Sequence, residues 1–492
     1  MSERNDSYKQ IVKATGIFGG SQIIIILLGI IRTKFAAFLL GALGVGLIGI
    51  FQSVVDMIRT ISVLGVDTSG VKEIADTEAN KSQEEHVKTI STSRLWFSLT
   101  AFLGLFICVA FCFPISLWAF QTPQYAMHVA GLSLCVFYGI LATGKSVILQ
   151  GLRQIGYMAK AGIWTALASL IIIVPMYYFM ETRAIVPSLI IGSLLFYIFS
   201  DYYFRKLKIK KVSVNNQEAF EVGTNTLKLG LYILISSILS TIAMFIIRTY
   251  IARVDSIEYA GLFQAVWVIT TVYLGLILKS MGADYYPRLS AISDQNNAVK
   301  TLVNEQSFIA ILVSLPIIVG MILFSKFILT LFYSTEFIAA SELLRWQLLG
   351  SIFKIISWPL AFILLAKNKG KLFLISEVIF YASYLSAAYL LYSTYSINAF
   401  GIAYLVAYII YLLTVFVMAK YLTKFEWTPE ITSIISISLA FVIASFIVLM
   451  YFDKLGFLLG IVFLFASTFY SFIKLRKVFT IEDLKNWINK KE

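Results

Sequence analysis

The chain has 492 residues, of which 59% are hydrophobic and only 14% charged, with a formal net charge of +13. Globular domains carry roughly a quarter charged residues, and a soluble core cannot absorb this much apolar surface, so an ordinary soluble enzyme or binding module is excluded.

Met1–Gln10 is polar, and the apolar segment after it is too long for a cleavable signal and carries no small-residue cleavage site. Apolar runs such as Ile23–Ile31, Leu227–Ile247 and Ile431–Phe452 then recur along the chain. A bilayer crossing needs about 20 residues of helix, with every backbone N–H and C=O satisfied internally. The runs lack the short polar/apolar alternation of a barrel, so they read as helices. The expected spans are 11–38, 43–66, 95–118, 127–150, 159–180, 185–204, 229–252, 258–284, 305–332, 342–366, 371–392, 398–420, 430–452 and 455–474. The chain is therefore expected to be an all-α, polytopic membrane protein of about fourteen transmembrane helices. Its connections are short, leaving no room for a soluble catalytic module. Cys108, Cys112 and Cys135 fall inside apolar runs and read as small buried hydrophobes rather than a disulfide framework.

Lysine and arginine concentrate on alternate connections. The densest groups are Arg205, Lys206, Lys208, Lys210 and Lys211, then Lys474–Lys477 and Lys485–Lys491, whereas Arg183, Arg253 and Lys454 stand on the opposite side. The positive-inside rule then places both termini in the cytoplasm. Topology and contact with anionic lipid account for the net charge, and no nucleic-acid partner is needed.

Ile30-Ile31-Arg32-Thr33 recurs as Ile246-Ile247-Arg248-Thr249, and Gly49-Ile50-Phe51-Gln52 as Gly261-Leu262-Phe263-Gln264. The offsets, 216 and 212 residues, are nearly equal and the order is kept. Six helices separate the copies, so the repeat is parallel and relates two six-helix lobes by an axis along the membrane normal. The expected organisation is an N-lobe at 1–210, a C-lobe at 211–424, and two appended helices with a cytoplasmic tail at 425–492.

Charges inside the spans carry the functional signal. A central Arg or Lys costs at least about 2.5–3.5 kcal/mol, so it faces the bundle interior or a water-filled cavity unless it can snorkel to the interface. Snorkelling suffices for Lys145 and Lys326. Gln52, Asp56 and Arg59 stack on one helical face, as do Ser237, Thr241 and Arg248; Gln347, Ser351 and Lys354; and Glu377, Tyr381 and Tyr384. Four such stripes call for an aqueous cavity between lobes. The cations expected to line it are Arg32, Arg59, Arg248, Lys279, Arg345 and Lys354, with Lys34, Gln52, Gln264 and Gln347 as additional candidates. Only Asp56 and Glu377 are clearly acidic at comparable depth, so cations are left over and an anionic substrate is the simplest partner. Arginine's planar fork suits phosphate.

Gly44-Val45-Gly46-Leu47-Ile48-Gly49 matches a dinucleotide fingerprint but follows a helix rather than a strand, so it reads as a tight turn and close helix packing. No Walker motif occurs, His86 and His128 are too far apart to suggest a metal site, and no nucleophile–base pair is apparent. No enzyme activity, metal or cofactor is expected.

Several segments resemble the Wzx-type polysaccharide flippases of the MOP superfamily, near the O-antigen and enterobacterial-common-antigen translocases. They are Lys34 with Leu40–Leu47 and Phe51, Gly151-Leu152-Arg153, Tyr286–Ser290, Trp346–Gly350 with Lys354, Ala366-Lys367, and Ser376-Glu377-Val378. The resemblance runs from about residue 10 to 422. Gln52 stands where the family suggests arginine, and the last two helices extend beyond its twelve-helix members. The resemblance implies a MATE-like pair of lobes and alternating access in the bacterial inner membrane. Its cargo would be an undecaprenyl-diphosphate-linked oligosaccharide moved from the cytoplasmic to the periplasmic leaflet. Membrane lipids are partners by location, and the O-antigen polymerase and chain-length regulator would be further partners. With no ATP motif, an H+ or Na+ gradient is the expected coupling, and Asp56 and Glu377 are the candidate ion sites. The alternatives are a MATE-like drug/cation antiporter, which the cationic sign disfavours; a peptidoglycan-precursor flippase, which differs only in cargo; and a membrane glycosyl enzyme, for which every outer loop is short.

Overall fold

The computed structural model describes residues 2–80, 83–209, 216–452 and 454–476. Lys210, Lys211, Lys477 and the expected basic tail Lys485–Lys491 lie outside the described residues. The described chain is helical, with no strand among the described residues. In order it forms α1 (Ser2–Val63), α2 (Val66–Asn80), α3 (Gln83–Ala110), α4 (Cys112–Phe120), α5 (Ala126–Gly151), α6 (Ile155–Met180), α7 (Ile185–Arg205) and α8 (Asn216–Val254). Then follow α9 (Ile257–Val268), α10 (Gly275–Ala291), α11 (Asn296–Leu323), α12 (Ser325–Phe332), α13 (Ser341–Ala366), α14 (Gly370–Tyr395), α15 (Ala399–Thr423), α16 (Pro429–Tyr451) and α17 (Lys454–Arg476).

Among the described residues, ten helical segments are long and apolar enough to cross a bilayer. Three of them, Gly20–Val63, Ile155–Arg205 and Gly370–Thr423, run 44, 51 and 54 residues, about twice what one crossing needs. Each is broken near its middle. Gly41 leaves helical geometry (φ 63, ψ −169) within α1. Glu181 (φ 50) opens the short turn Glu181–Ala184 between α6 and α7, and Ser396 (φ 48) opens Ser396–Asn398 between α14 and α15. Large apolar side chains crowd the outer surface, with Phe179 79% and Phe465 71% exposed. A water-soluble protein would bury them, so this is the surface of a multi-pass membrane protein. Cys108, Cys112 and Cys135 are buried free thiols.

The chain divides into two compact units, Met1–Leu262 with Phe332–Ser334, and Phe263–Leu331 with Thr335–Glu492. In the first, α1 packs on α3, α5, α6 and α8, and Ile50, Val54 and Ile58 of its second half are fully buried. The close approach there depends on glycine. A Cβ on Gly46 would meet the Ile257 carbonyl oxygen at 2.0 Å, and one on Gly261 would meet the Ala42 carbonyl oxygen at the same distance. The glycine-rich run in α1 is thus a helix-contact surface. In the second unit, α13 and α15 approach through Gly350, against Tyr404 and Leu405, and Gly401, against Trp346 and Leu343. Asn304 of α11 ties down the entry to α16, donating to the Glu426 carbonyl (3.3 Å) and accepting from the Thr428 N–H (3.1 Å). Thr428 then caps α16, with Pro429 at its first position.

Candidate functional site

In the first unit, polar groups gather where the second half of α1 meets α5 and α8. Positions four and seven apart put Gln52, Asp56 and Arg59 on one face, and Gln52 Nε2 donates to Asp56 Oδ1 at 2.9 Å. Ser53 donates to the Gly49 carbonyl (2.8 Å) and accepts from Nη1 of Arg248 on α8. Arg59 Nη2 donates to Thr143 Oγ1 on α5, which itself donates to the Gly139 carbonyl at 2.9 Å. Asp56 lies within Coulombic reach of both Arg248 and Arg59. Two guanidinium groups therefore lie in the electrostatic field of one carboxylate, each hydrogen-bonded to a hydroxyl, in a place where Arg248 is only 7% exposed. Burial costs a lone charge several kcal/mol, and the hydroxyls of Thr143 and Ser53, with the field of Asp56, offset that cost for the two arginines.

The second unit assembles its cluster from α13, α14, α15 and a π-helical turn. Between α9 and α10 the chain makes one such turn, Ile269–Tyr273, closed by the Leu274 N–H to the Ile269 carbonyl at 3.3 Å. Wide turns of this kind re-aim side chains and recur at functional sites. Thr270 within it donates to Oε1 of the fully buried Gln347 at 2.8 Å. One turn on, Ser351 donates to the Gln347 carbonyl (2.8 Å), and Lys354 places its ammonium 5.8 Å from the centre of the Tyr408 ring. Tyr411 donates to Glu377 Oε1 at 3.0 Å, and Glu377 is within Coulombic reach of Lys354. Phe380, Tyr384, Tyr404, Tyr408 and Tyr411 form a continuous set of edge-on and tilted rings around this pair.

The remaining candidates lie elsewhere. Arg32 is exposed and lines a cavity of about 460 Å³ with groups from α5, α6 and α7, including Ser146, Thr165 and Ser169; neither Arg59 nor Arg248 lines it. Lys34 is half-buried on α1 and Lys279 is exposed on α10. Gln264 is half-buried on α9, and its Oε1 has no hydrogen-bond partner among the described residues. Arg345 binds Ser325 Oγ (3.0 Å) through Nε and the Leu449 carbonyl (2.8 Å) through Nη1, fastening α13 to α12 and α16. It borders a mainly apolar cavity of about 1200 Å³ lined from α11, α12, α16 and α17.

Sequence reasoning passed over Ser53, Thr143 and Thr270, because a hydroxyl in a helix most often bonds its own backbone. It also missed Tyr408 and Tyr411, although Tyr404, Tyr408 and Tyr411 have helical spacing. Lys145 does not merely snorkel, because its Nζ pairs with Asp201 at 2.9 Å. Asp201 is a further carboxylate in a membrane-length segment, overlooked because it lies close to the end of one.

The chain is similar to the lipid III flippase of Escherichia coli (strain K12), with 24% identity over 82% of this chain and 96% of that one. Its fold is that of a solved structure described as "Lipid II flippase MurJ, inward closed conformation" (TM-score 0.71, 18% identity, 94% and 98% of the two chains covered). An inward-facing multidrug resistance MATE family transporter of the MOP superfamily shares it as well (TM-score 0.67, 15% identity, 83% and 95% covered). The model of the family described as "Polysaccharide biosynthesis protein" matches residues 11–293, which include the whole Asp56 cluster and Thr270 but end before α13. Matched over more than half its length, in the segment that carries the first cluster, the chain belongs to the polysaccharide biosynthesis protein family.

Proposed function

We propose that the protein is a flippase that moves an undecaprenyl-diphosphate-linked oligosaccharide, an O-antigen-type repeat unit, from the cytoplasmic to the periplasmic leaflet of the bacterial inner membrane. The observation that carries the reading is the pair of arginines, Arg59 and Arg248, held by Thr143 and Ser53 within electrostatic reach of the single carboxylate of Asp56. A diphosphate is the anion such a cluster suits, since guanidinium donors pair with phosphate oxygens in a planar, bidentate fashion. The family, and the flippase named among the similar chains, support the class of cargo. Counting each interrupted apolar segment as two crossings, and α9 with α10 as one more, makes fourteen crossings with both termini cytoplasmic.

Transport proceeds by alternating access, exposing the cargo first to one side of the membrane and then to the other. Arg59 and Arg248 hold the diphosphate, with Gln52 orienting Asp56. Arg32, Lys279 and Lys354 are the further cations of the reading, with Lys34, Gln264 and Gln347 as additional candidates, whereas Arg345, first expected among them, serves as a tie between helices. Asp56 and Glu377 carry the coupling ion, H+ or Na+. On the periplasmic side the polymerase and chain-length regulator take over the product.

Arg248→Ala tests this. Surface polysaccharide is expected to be lost while the protein remains inserted at normal levels; unchanged polysaccharide at equal expression would remove the cluster from transport. A second reading, a peptidoglycan-precursor flippase, takes its support from the likeness in fold to a lipid II flippase. Rescue of a strain lacking that flippase, without any effect on O-antigen-type polymer, would favour it.

A further inference from the structure

A second basic site stands in the first unit where the first half of α3 meets the ends of α5 and α7. A cavity of about 480 Å³ is lined there by Arg94, Lys145, Asp201, Phe204, Arg205 and Lys208, among others. That volume lies within the range of about 300–1,000 Å³ that holds small ligands. Asp201 is already shared, with Lys145 Nζ at 2.9 Å and Arg205 Nε at 2.5 Å. The Phe204 ring lies beneath two of the cations, its centre 4.3 Å from Lys145 Nζ and 5.2 Å from Arg94 Cζ. Among the described residues, neither Arg94 nor Lys208 has a carboxylate within ion-pair distance. Four cations thus face one cavity with one carboxylate, on a floor that fixes two of them before any ligand arrives.

The depth of the cavity selects the ligand. Lys145 is six residues from the end of its apolar segment at Gly151, and Asp201 four from Arg205, so both sit roughly 6–9 Å inside the helix ends. This is the headgroup and acyl boundary of a bilayer. The same end carries an aromatic girdle, in which Tyr157 stacks on Tyr203 (5.6 Å) and Lys206 Nζ lies 4.6 Å from the centre of the exposed Tyr202 ring. Tyrosine and lysine in that arrangement mark the membrane–water interface. The anion at hand there in quantity is a phospholipid phosphate, and basic pockets between helix ends take such headgroups.

We propose that Arg94, Lys145, Arg205 and Lys208 form a binding site for the phosphate of an anionic phospholipid, phosphatidylglycerol or cardiolipin, separate from the site that carries cargo. The bound lipid bridges the first half of α3, at Arg94, to the ends of α5 and α7. The proposal stands whether or not the flippase reading does, because its readout is lipid binding rather than transport.

The test uses the full chain purified in a mild detergent, with melting followed as lipid is added. Phosphatidylglycerol is expected to raise the melting temperature by about 4 °C or more, and phosphatidylethanolamine by much less. Arg94→Ala with Lys208→Ala, which leaves the Lys145–Asp201 pair intact, is expected to lose more than half of that shift. Lys369→Ala with Lys371→Ala, an equal loss of charge in the second unit, is expected to keep it. If the first double variant does not fold, Arg94→Gln alone serves, read by the number of phosphatidylglycerol molecules retained in native mass spectrometry. An undiminished shift or retention in the Arg94 variants overturns the site. Equal stabilisation by phosphatidylethanolamine overturns the requirement for an anion. A full shift from inorganic phosphate or glycerol phosphate alone overturns the lipid assignment in favour of a soluble anion.

Discussion

The polar clusters of the two units solve the same physical problem with different chemistry. Around Asp56, two arginines lie within electrostatic reach of one carboxylate, each hydrogen-bonded to a short hydroxyl side chain. Around Glu377, one lysine and one carboxylate stand among tyrosines whose rings contact one another. Arginine stays charged in any environment a protein provides, whereas lysine, glutamate and tyrosine can each gain or lose a proton. The first cluster is therefore suited to holding an anion permanently, and the second to exchanging a proton or a small cation. In the proposed flippase, the arginines of the first are the main hold on the cargo, and of the two ion sites, Asp56 and Glu377, the one in the second cluster carries the larger share of the coupling.

The sharpest way to break this division is Arg248→Ala. A hydrogen bond to a charged group is worth about 1.5–3 kcal/mol, and each ~1.4 kcal/mol lost from a productive complex is tenfold in rate. Surface polysaccharide should fall by more than about tenfold on that scale, measured against protein level in the membrane. Arg248→Lys keeps the charge but loses the fork, and should recover only part of the loss. Full recovery would mean that the charge alone matters.

Next in size is Glu377→Gln. A hydrogen bond to a charged group is worth about 1.5–3 kcal/mol, and this change removes the carboxylate while keeping the acceptor for Tyr411. If the second cluster couples the ion, transport in vesicles becomes independent of the imposed gradient. Gradient dependence equal to that of the unaltered protein would return both roles to the first cluster. Tyr411→Phe should give a weaker form of the same loss, because only one hydrogen bond is removed.

How far these clusters were legible in the sequence depended on how far apart their members lie. The Gln52–Asp56 bond follows from helical spacing alone, and the structure has it at 2.9 Å. The partners of the arginines do not follow, since Arg59 and Thr143 are 84 residues apart and Arg248 and Ser53 are 195 apart. The helices themselves were plain, because twenty apolar residues in lipid have only one way to satisfy their backbone. Their joins were less so; Gly41, Glu181 and Ser396 break apolar segments with a single unusual residue each. The internal repeat pairs Arg32 with Arg248, yet one is exposed beside a cavity and the other buried against Ser53. A motif records ancestry, and only the neighbours it meets decide its environment.

A further prediction concerns the backbone contact behind the first cluster. Gly46→Ala would set a Cβ 2.0 Å from the Ile257 carbonyl oxygen, with no flexible side chain to yield. Overpacking of this kind costs about 1–3 kcal/mol, which should appear as a lower melting temperature. Gly20→Ala, where a Cβ meets nothing within 4 Å, is the matched control. If both changes left melting equally unaffected, α1 and α9 would not be held as closely as the glycines imply.

The smallest expected effect is at Arg345. Arg345 shares α13 with Gln347 and Lys354, but two residues along a helix is a turn of about 200°, so it cannot share their face. Its guanidinium is spent on Ser325 and on the Leu449 carbonyl, where α16 ends. Arg345→Gln can still donate one hydrogen bond, so a loss of about 0.5–1.5 kcal/mol in stability is expected, read by thermal melting, with polysaccharide export nearly unchanged. A collapse of export at normal stability would place Arg345 in the path of the cargo instead. It would also mean that the apolar cavity beside it, rather than the Asp56 cluster alone, receives part of the lipid-linked substrate.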